Sequence, residues 1–133
     1  MKKFESKQVI LKASAQNVYA FLSDLSNLSK FMPEQVTNWQ ATADTCSFTI
    51  QNMTSLSMRV KERIPFERID VIPDGKSPFD FKLQLFLYSE TDLQSKASFI
   101  FNADLNPVFS MMASKPLQNL VNLMADKLEK YFS

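Results

Sequence analysis

The stretch NPVFSMMASKPLQNLVNLMADKLEKYF, residues 106–132, decides how the rest of the chain must be arranged. Asn106 offers a side-chain oxygen as N-cap, and Pro107 takes the first helical position, where its missing N–H costs nothing. Phe109, Met112, Ala113, Leu117, Leu120, Met124, Leu128 and Tyr131 then recur at helical spacing and form one apolar stripe. A helix of roughly 25 residues is about 37 Å long. Pro116 removes a backbone hydrogen bond and crowds a carbonyl, so a bend or local break is expected there. Of the adjacent Met111 and Met112, only Met112 falls on the stripe; Met111 is rotated by about 100°.

Such a stripe needs a surface to cover, and the preceding sequence supplies one. Residues 4–13 read as a strand, and Ser14 is an N-cap for AQNVYAFLSDL, whose Val18, Phe21, Leu22 and Leu25 share a face. A second short helix is expected over LSNLSKFM, residues 25–32, stopped by Pro33. From about residue 36 to 105 the period becomes two. Cys46, Phe48 and Ile50 alternate with polar neighbours, as do Leu56, Met58, Val60 and Ile64. Ile69 and Val71 follow, then Phe79, Phe81, Leu83, Leu85 and Leu87, and finally Ala97, Phe99, Phe101 and Ala103. Alternation with short polar connections, PDGKSP at 73–78 among them, describes an antiparallel meander with one buried face.

The order is strand, two short helices, about six strands, then one long helix. The α+β architecture expected is a curved antiparallel sheet of about seven strands wrapped around the C-terminal helix, with the short helices clamping one end. All 133 residues read as a single domain. The opening VILKASAQNVYAFLSDLSN, the meander and the closing ADLNPVFSMMASKPLQNLVNLMADKL together resemble the helix-grip domains of the START and Bet v 1-like superfamily, the SRPBCC group. That resemblance implies an apolar cavity between sheet and helix, taking a lipid, sterol, polyketide, quinone or similar guest. It implies a container more strongly than a reaction, since some members are cyclases or hydrolases and others only bind.

Composition narrows the chemistry. The net charge of +1, without clustered Lys and Arg, gives no footprint for nucleic acid. No apolar run reaches the roughly 20 residues of a spanning helix, so no integral membrane association is expected. MKKFESKQV does not read as a signal peptide, which makes the cytoplasm the expected compartment. With no histidine, the usual general base and commonest metal ligand are missing. Cys46 is the only cysteine, and Gly75 the only glycine, which rules out thiolate clusters and glycine-rich phosphate loops. No metal, cofactor or catalytic residue is expected.

The expected ligand-binding wall is Met58, Val60, Glu62, Phe81, Leu83, Leu85, Phe99 and Phe101 from strands, with Phe109, Met112, Ala113 and Leu117 from the helix. The same residues could instead form a filled core, and the chain would then be an interaction module. Glu62 sits in the inward phase of its strand, where a carboxylate could hold a polar group of a ligand or act as an acid in an enzyme reading; if the strand ends early, it simply reaches water. Arg59, Lys61 and Arg63 read as a solvated outer stripe, and Trp39 as a residue near the mouth. Phe86, Tyr88 and Ile100 on the outer face suggest a weak homodimer contact.

Overall fold

The computed structural model describes every residue except Asn52. Among the described residues, eight strands form one antiparallel sheet, and one long helix lies against it. The strands are β1 (Lys2–Glu5), β2 (Val9–Leu11), β3 (Val36–Ala41), β4 (Thr45–Ile50), β5 (Thr54–Ile64), β6 (Arg68–Pro73), β7 (Phe81–Thr91) and β8 (Gln94–Ala103). Between β2 and β3 come helix α1 (Ala15–Leu22) and a 3-10 helix (Leu25–Phe31); α2 (Pro107–Tyr131) closes the chain. The spatial order is β1-β8-β7-β6-β5-β4-β3, with β2 also on β8. This is the helix-grip arrangement the sequence predicts, with the six-strand meander intact.

The strand expected over residues 4–13 is divided in two. Glu5 pairs with Ile100 and Val9 with Ala97, so four steps along the first segment oppose three along β8. Ser6 occupies the break and is 6% exposed. Its N–H donates to the Phe99 carbonyl at 2.9 Å, and its Oγ accepts from the Phe99 N–H at 2.9 Å. The side chain thus stands in for a missing ladder partner, which is how a bulge is tolerated in a buried sheet.

Both caps form where the sequence places them. Ser14 Oγ accepts from Asn17 N–H at 3.2 Å, and Asn106 Oδ1 accepts from Phe109 N–H at 2.7 Å. Asp24 caps the 3-10 helix through Ser26 N–H and Oγ at 3.0 and 2.6 Å, and those bonds hold its carboxyl below the usual carboxylate range. Gly75, at φ +76°, occupies the turn between β6 and β7, a left-handed backbone that glycine adopts without strain.

The grip closes on the C-terminal end of α2. Phe21 of α1 stacks on Tyr131 with centroids 4.9 Å apart, and Phe31 of the 3-10 helix meets the same ring edge-on at 5.5 Å. Lys30 Nζ lies 5.2 Å from the Phe21 centroid, and Lys12 N–H donates to the Phe132 carbonyl at 2.8 Å. One further tie crosses the molecule. Arg63 Nη2 lies 2.8 Å from the Ser23 carbonyl, 3.1 Å from that of Ala43 and 2.8 Å from Asp44 Oδ1, joining β5 to the end of α1.

Helix α2 runs through Pro116 without interruption, so the expected break does not occur. The carbonyl that Pro116 leaves without an N–H partner is four residues back, at Met112, on the solvent side, where water can take it up. The buried face of α2 is Ala113, Leu117, Leu120, Val121, Met124, Ala125 and Leu128. Met112 is not on that face. Its exposure is 58%, and Tyr131 is 48% exposed beside the clamp aromatics.

Candidate functional site

Between the sheet and α2 lies one apolar cluster that reaches from Phe4 to Leu128. Eight of the twelve expected wall residues meet in it: Met58, Phe81, Leu83, Leu85, Phe99, Phe101, Ala113 and Leu117 are each 1% exposed or less. Val60 and Phe109 pack against its edge, partly buried. A side chain that no water-sized sphere can reach borders no water-sized void. At those eight positions the interior is filled, as protein cores ordinarily are.

Glu62 and Met112 are not part of this wall. Val60 pairs with Val71, yet Glu62 pairs with Asp70, so β5 contains one extra residue, Lys61, at this point. A one-residue bulge reverses the alternation beyond it. Glu62 is therefore carried to the outer face with its side chain 54% exposed, and its carboxylate stands 3.9 Å from Arg68 Nη2. Arg63, expected outward, comes opposite Ile69 on the inner side and reaches the α1 terminus. Met112 falls off the stripe because the stripe is centred farther from Phe109 than the spacing alone suggests. Val121 and Ala125 continue Ala113 and Leu117 at four-residue steps, and including them rotates the stripe away from Met112.

At the N-terminal end of α2 an aromatic group borders the surface. Phe81 and Phe101 stack at 5.1 Å, and Phe79, just ahead of β7, sits 5.7 Å from Phe81 and 5.3 Å from Phe109. Beside Phe79 and Phe109, though not Phe81 or Phe101, opens a concavity of about 420 Å³, bounded by Pro78, Phe79, Asp80, Asp104, Leu105, Asn106 and Phe109. Phe79, buried here at 8% exposure, is a member of the site that the expected wall omits. Its alternation with Phe81 and Leu83 is the signal that points to it. Trp39 stacks on Phe48 at 5.4 Å, on the sheet away from this opening.

Ionisable groups inside are few. Cys46 is 3% exposed, and burial pushes its thiol up to about 12, so it is a neutral apolar side chain at ordinary pH. The buried carboxylate Asp70 belongs to the outer layer: Arg68 Nε lies 3.0 Å from its Oδ1, off the N–H direction, and Gln84 Nε2 donates to the same oxygen at 3.1 Å. Among the described residues, no three Cys, Asp or Glu side chains gather as a metal-ligand set.

Solved structures match this arrangement over nearly the whole chain. A START superfamily protein from Mycobacterium smegmatis superposes with a TM-score of 0.70 at 12% identity, covering 98% of this chain and 96% of that one. The protein has the START helix-grip fold. A protein from Thermus thermophilus gives a TM-score of 0.74 at 14% identity, covering 97% and 95%. The di-domain ARO/CYC BexL, of the BE-7585A biosynthetic pathway, gives 0.73 at 12% identity, with 98% of this chain on 46% of BexL. No family model matches the sequence, and no curated protein does. At these identities the likeness carries the START-type fold and no further. Among the described residues no helix is long and apolar enough to cross a membrane.

Proposed function

We propose that this START-fold protein binds a hydrophobic small molecule (a lipid, polyketide, quinone or similar) between its sheet and α2, and does not transform it. The observation that carries the reading is the concavity of about 420 Å³ beside Phe79 and Phe109, at the edge of the apolar interior. That volume falls in the range of small-molecule sites, roughly 300–1,000 Å³. Since the wall residues are packed, a guest enters by displacing the rings of Phe79 and Phe109 and pushing apart Phe81, Phe101, Ala113 and Leu117 to make its own space. Met58, Val60, Leu83, Leu85 and Phe99 would be the deeper contacts of such a guest.

A cyclase-like enzyme is the reading that the BexL likeness supports. Against it stand the outward Glu62 and a sequence without histidine. A filled interaction module is favored by one specific observation, the near-zero exposure of the eight wall residues. Within that reading, weak self-association would use Phe86, Tyr88 and Ile100 on the convex face; equilibrium sedimentation of Phe86→Glu against the parent protein tests it.

The main test combines native mass spectrometry of gently purified protein with thermal shifts against fatty acids, sterols and quinones. Methyl-labelled methionine NMR then locates any guest. Shifts at Met58 and Met124 support interior binding. An absence of adduct, thermal shift and interior methyl change across the series sinks the proposal in favor of the filled module.

A further inference from the structure

The most exposed apolar side chains on α2 lie together on its outer face, away from the core. Val108 is 72% exposed, Met111 86% and Met112 58%. Spacings of three and four place them on one ridge with Lys115, opposite the buried Ala113, Leu117 and Leu120. An isolated exposed methionine is ordinary; three large apolar side chains in a row are informative. We propose that this ridge docks the protein reversibly onto the surface of an anionic lipid bilayer, with Val108, Met111 and Met112 entering the headgroup layer.

Charge supports the choice of occupant. Lys115 follows Met111 and Met112 by one turn. Lys2 flanks the other side, its Nζ 2.8 Å from Ser114 Oγ and 3.2 Å from Ser110 Oγ, partners that leave its charge unneutralised. From Leu105 to Ala125 the chain contains no carboxylate. The next acid on this side, Asp126, is about 21 Å along the helix from Met112, and it is held by Lys7 Nζ at 2.6 Å. Asp80 and Asp104 lie at the concavity on the sheet side of the helix start, so they border the ridge without lying on it.

Size argues against a second copy. A stable protein interface uses roughly 20–30 residues a side, and this ridge offers three apolar side chains. Interfacial docking works with a small apolar face reinforced by attraction to anionic lipid. The docking does not depend on an interior ligand, and its test reads a different surface.

The experiment is flotation of the full chain with vesicles of phosphatidylcholine alone and of phosphatidylcholine mixed with phosphatidylglycerol. The parent protein should float with the mixed vesicles, more weakly as salt rises. Met111→Glu with Met112→Glu should lower binding at least roughly ten-fold, and Lys115→Gln about five-fold. Unchanged circular dichroism and melting would show the variants folded, as surface changes should leave them. No flotation of the parent protein with mixed vesicles would overturn the proposal, as would a double variant that binds like the parent. Equal flotation with both vesicle types would overturn the anionic preference and the role of the lysines. A parent dimer in sedimentation, lost in the double variant, would reassign the ridge to self-association.

Discussion

Helix α2 contains its own control experiment: Met112 and Met124 are the same residue on the same helix, one 58% exposed and one at 0%. Truncating either to alanine removes Cγ, Sδ and Cε. At Met124 these three atoms return to water on unfolding, and at about 0.8 kcal/mol per methylene-sized group the transfer loss is about 2.4 kcal/mol. The cavity left against the sheet adds to this, bringing Met124→Ala to about 3–4 kcal/mol, within the usual range for such truncations. For a chain of this length that lowers the melting temperature by about 10 °C. Met112→Ala should stay within about 0.5 kcal/mol, since the side chain meets solvent already and alanine is the better helix former. Urea unfolding of both variants, fitted with a common slope, measures the two values. Equal losses would refute the reasoning: Met112 would then be a core residue, and the exposed ridge of α2 would not exist. A loss below about 1 kcal/mol at Met124 would mean that the gripped half of the helix is not packed.

Three further outcomes follow from individual side chains. Arg63→Met should cost about 1–3 kcal/mol, because two carbonyls, Ser23 at the end of α1 and Ala43 in the β3–β4 turn, lose a charged donor; Asp44→Ala, whose side chain is 72% exposed, should cost under about 1 kcal/mol in the same urea assay. Cys46 should resist thiol reagents at pH 8 until the protein is unfolded. Its folded pKa of about 12 lies above the ordinary value of 9.0, so the folded state holds more protons in between; the thiol's stabilising contribution is complete below pH 9 and declines as pH rises toward 12, readable from unfolding midpoints across that window. Glu62→Gln should leave ligand thermal shifts unaltered, and a lost shift would mean that the carboxylate reaches the guest after all.

Much of this architecture is legible in the sequence because it rests on period and caps. The alternation from Cys46 to Ala103 gives the meander, and Ser14 and Asn106 mark their helix starts within hydrogen-bond reach of the right N–H groups. The errors in the candidate site come from places where period is interrupted by geometry. Nothing in SMRVKERI announces that Lys61 is an extra residue, yet that bulge exchanges the faces of Glu62 and Arg63. Ser6 divides the first strand for a comparable reason, with a hydroxyl able to replace a backbone partner. Whether the wall encloses space is beyond pattern reading, because a void and a filled core differ by shifts smaller than a side chain.

The two halves of α2 also differ in how they are stabilised. Toward its C-terminus the helix is held by Phe21, Phe31 and Lys12, and it can carry Asp126 and Glu129 on its exposed side. At its N-terminus, where the macrodipole favors acidic residues by about 0.3–1 kcal/mol each, the first turn has none, and Asn106 alone provides the cap. The apolar contacts of that end are the tilted Phe79–Phe109 pair and partial burial, with Val108, Met111 and Met112 left in solvent. A carboxylate at these positions would steady the helix and improve solubility, but it would repel an anionic surface and resist dehydration. Introducing Val108→Asp or Met111→Glu should therefore raise or preserve the melting temperature while reducing vesicle binding. That separation of stability from docking distinguishes a surface kept apolar for contact with lipid from one that is merely poorly capped.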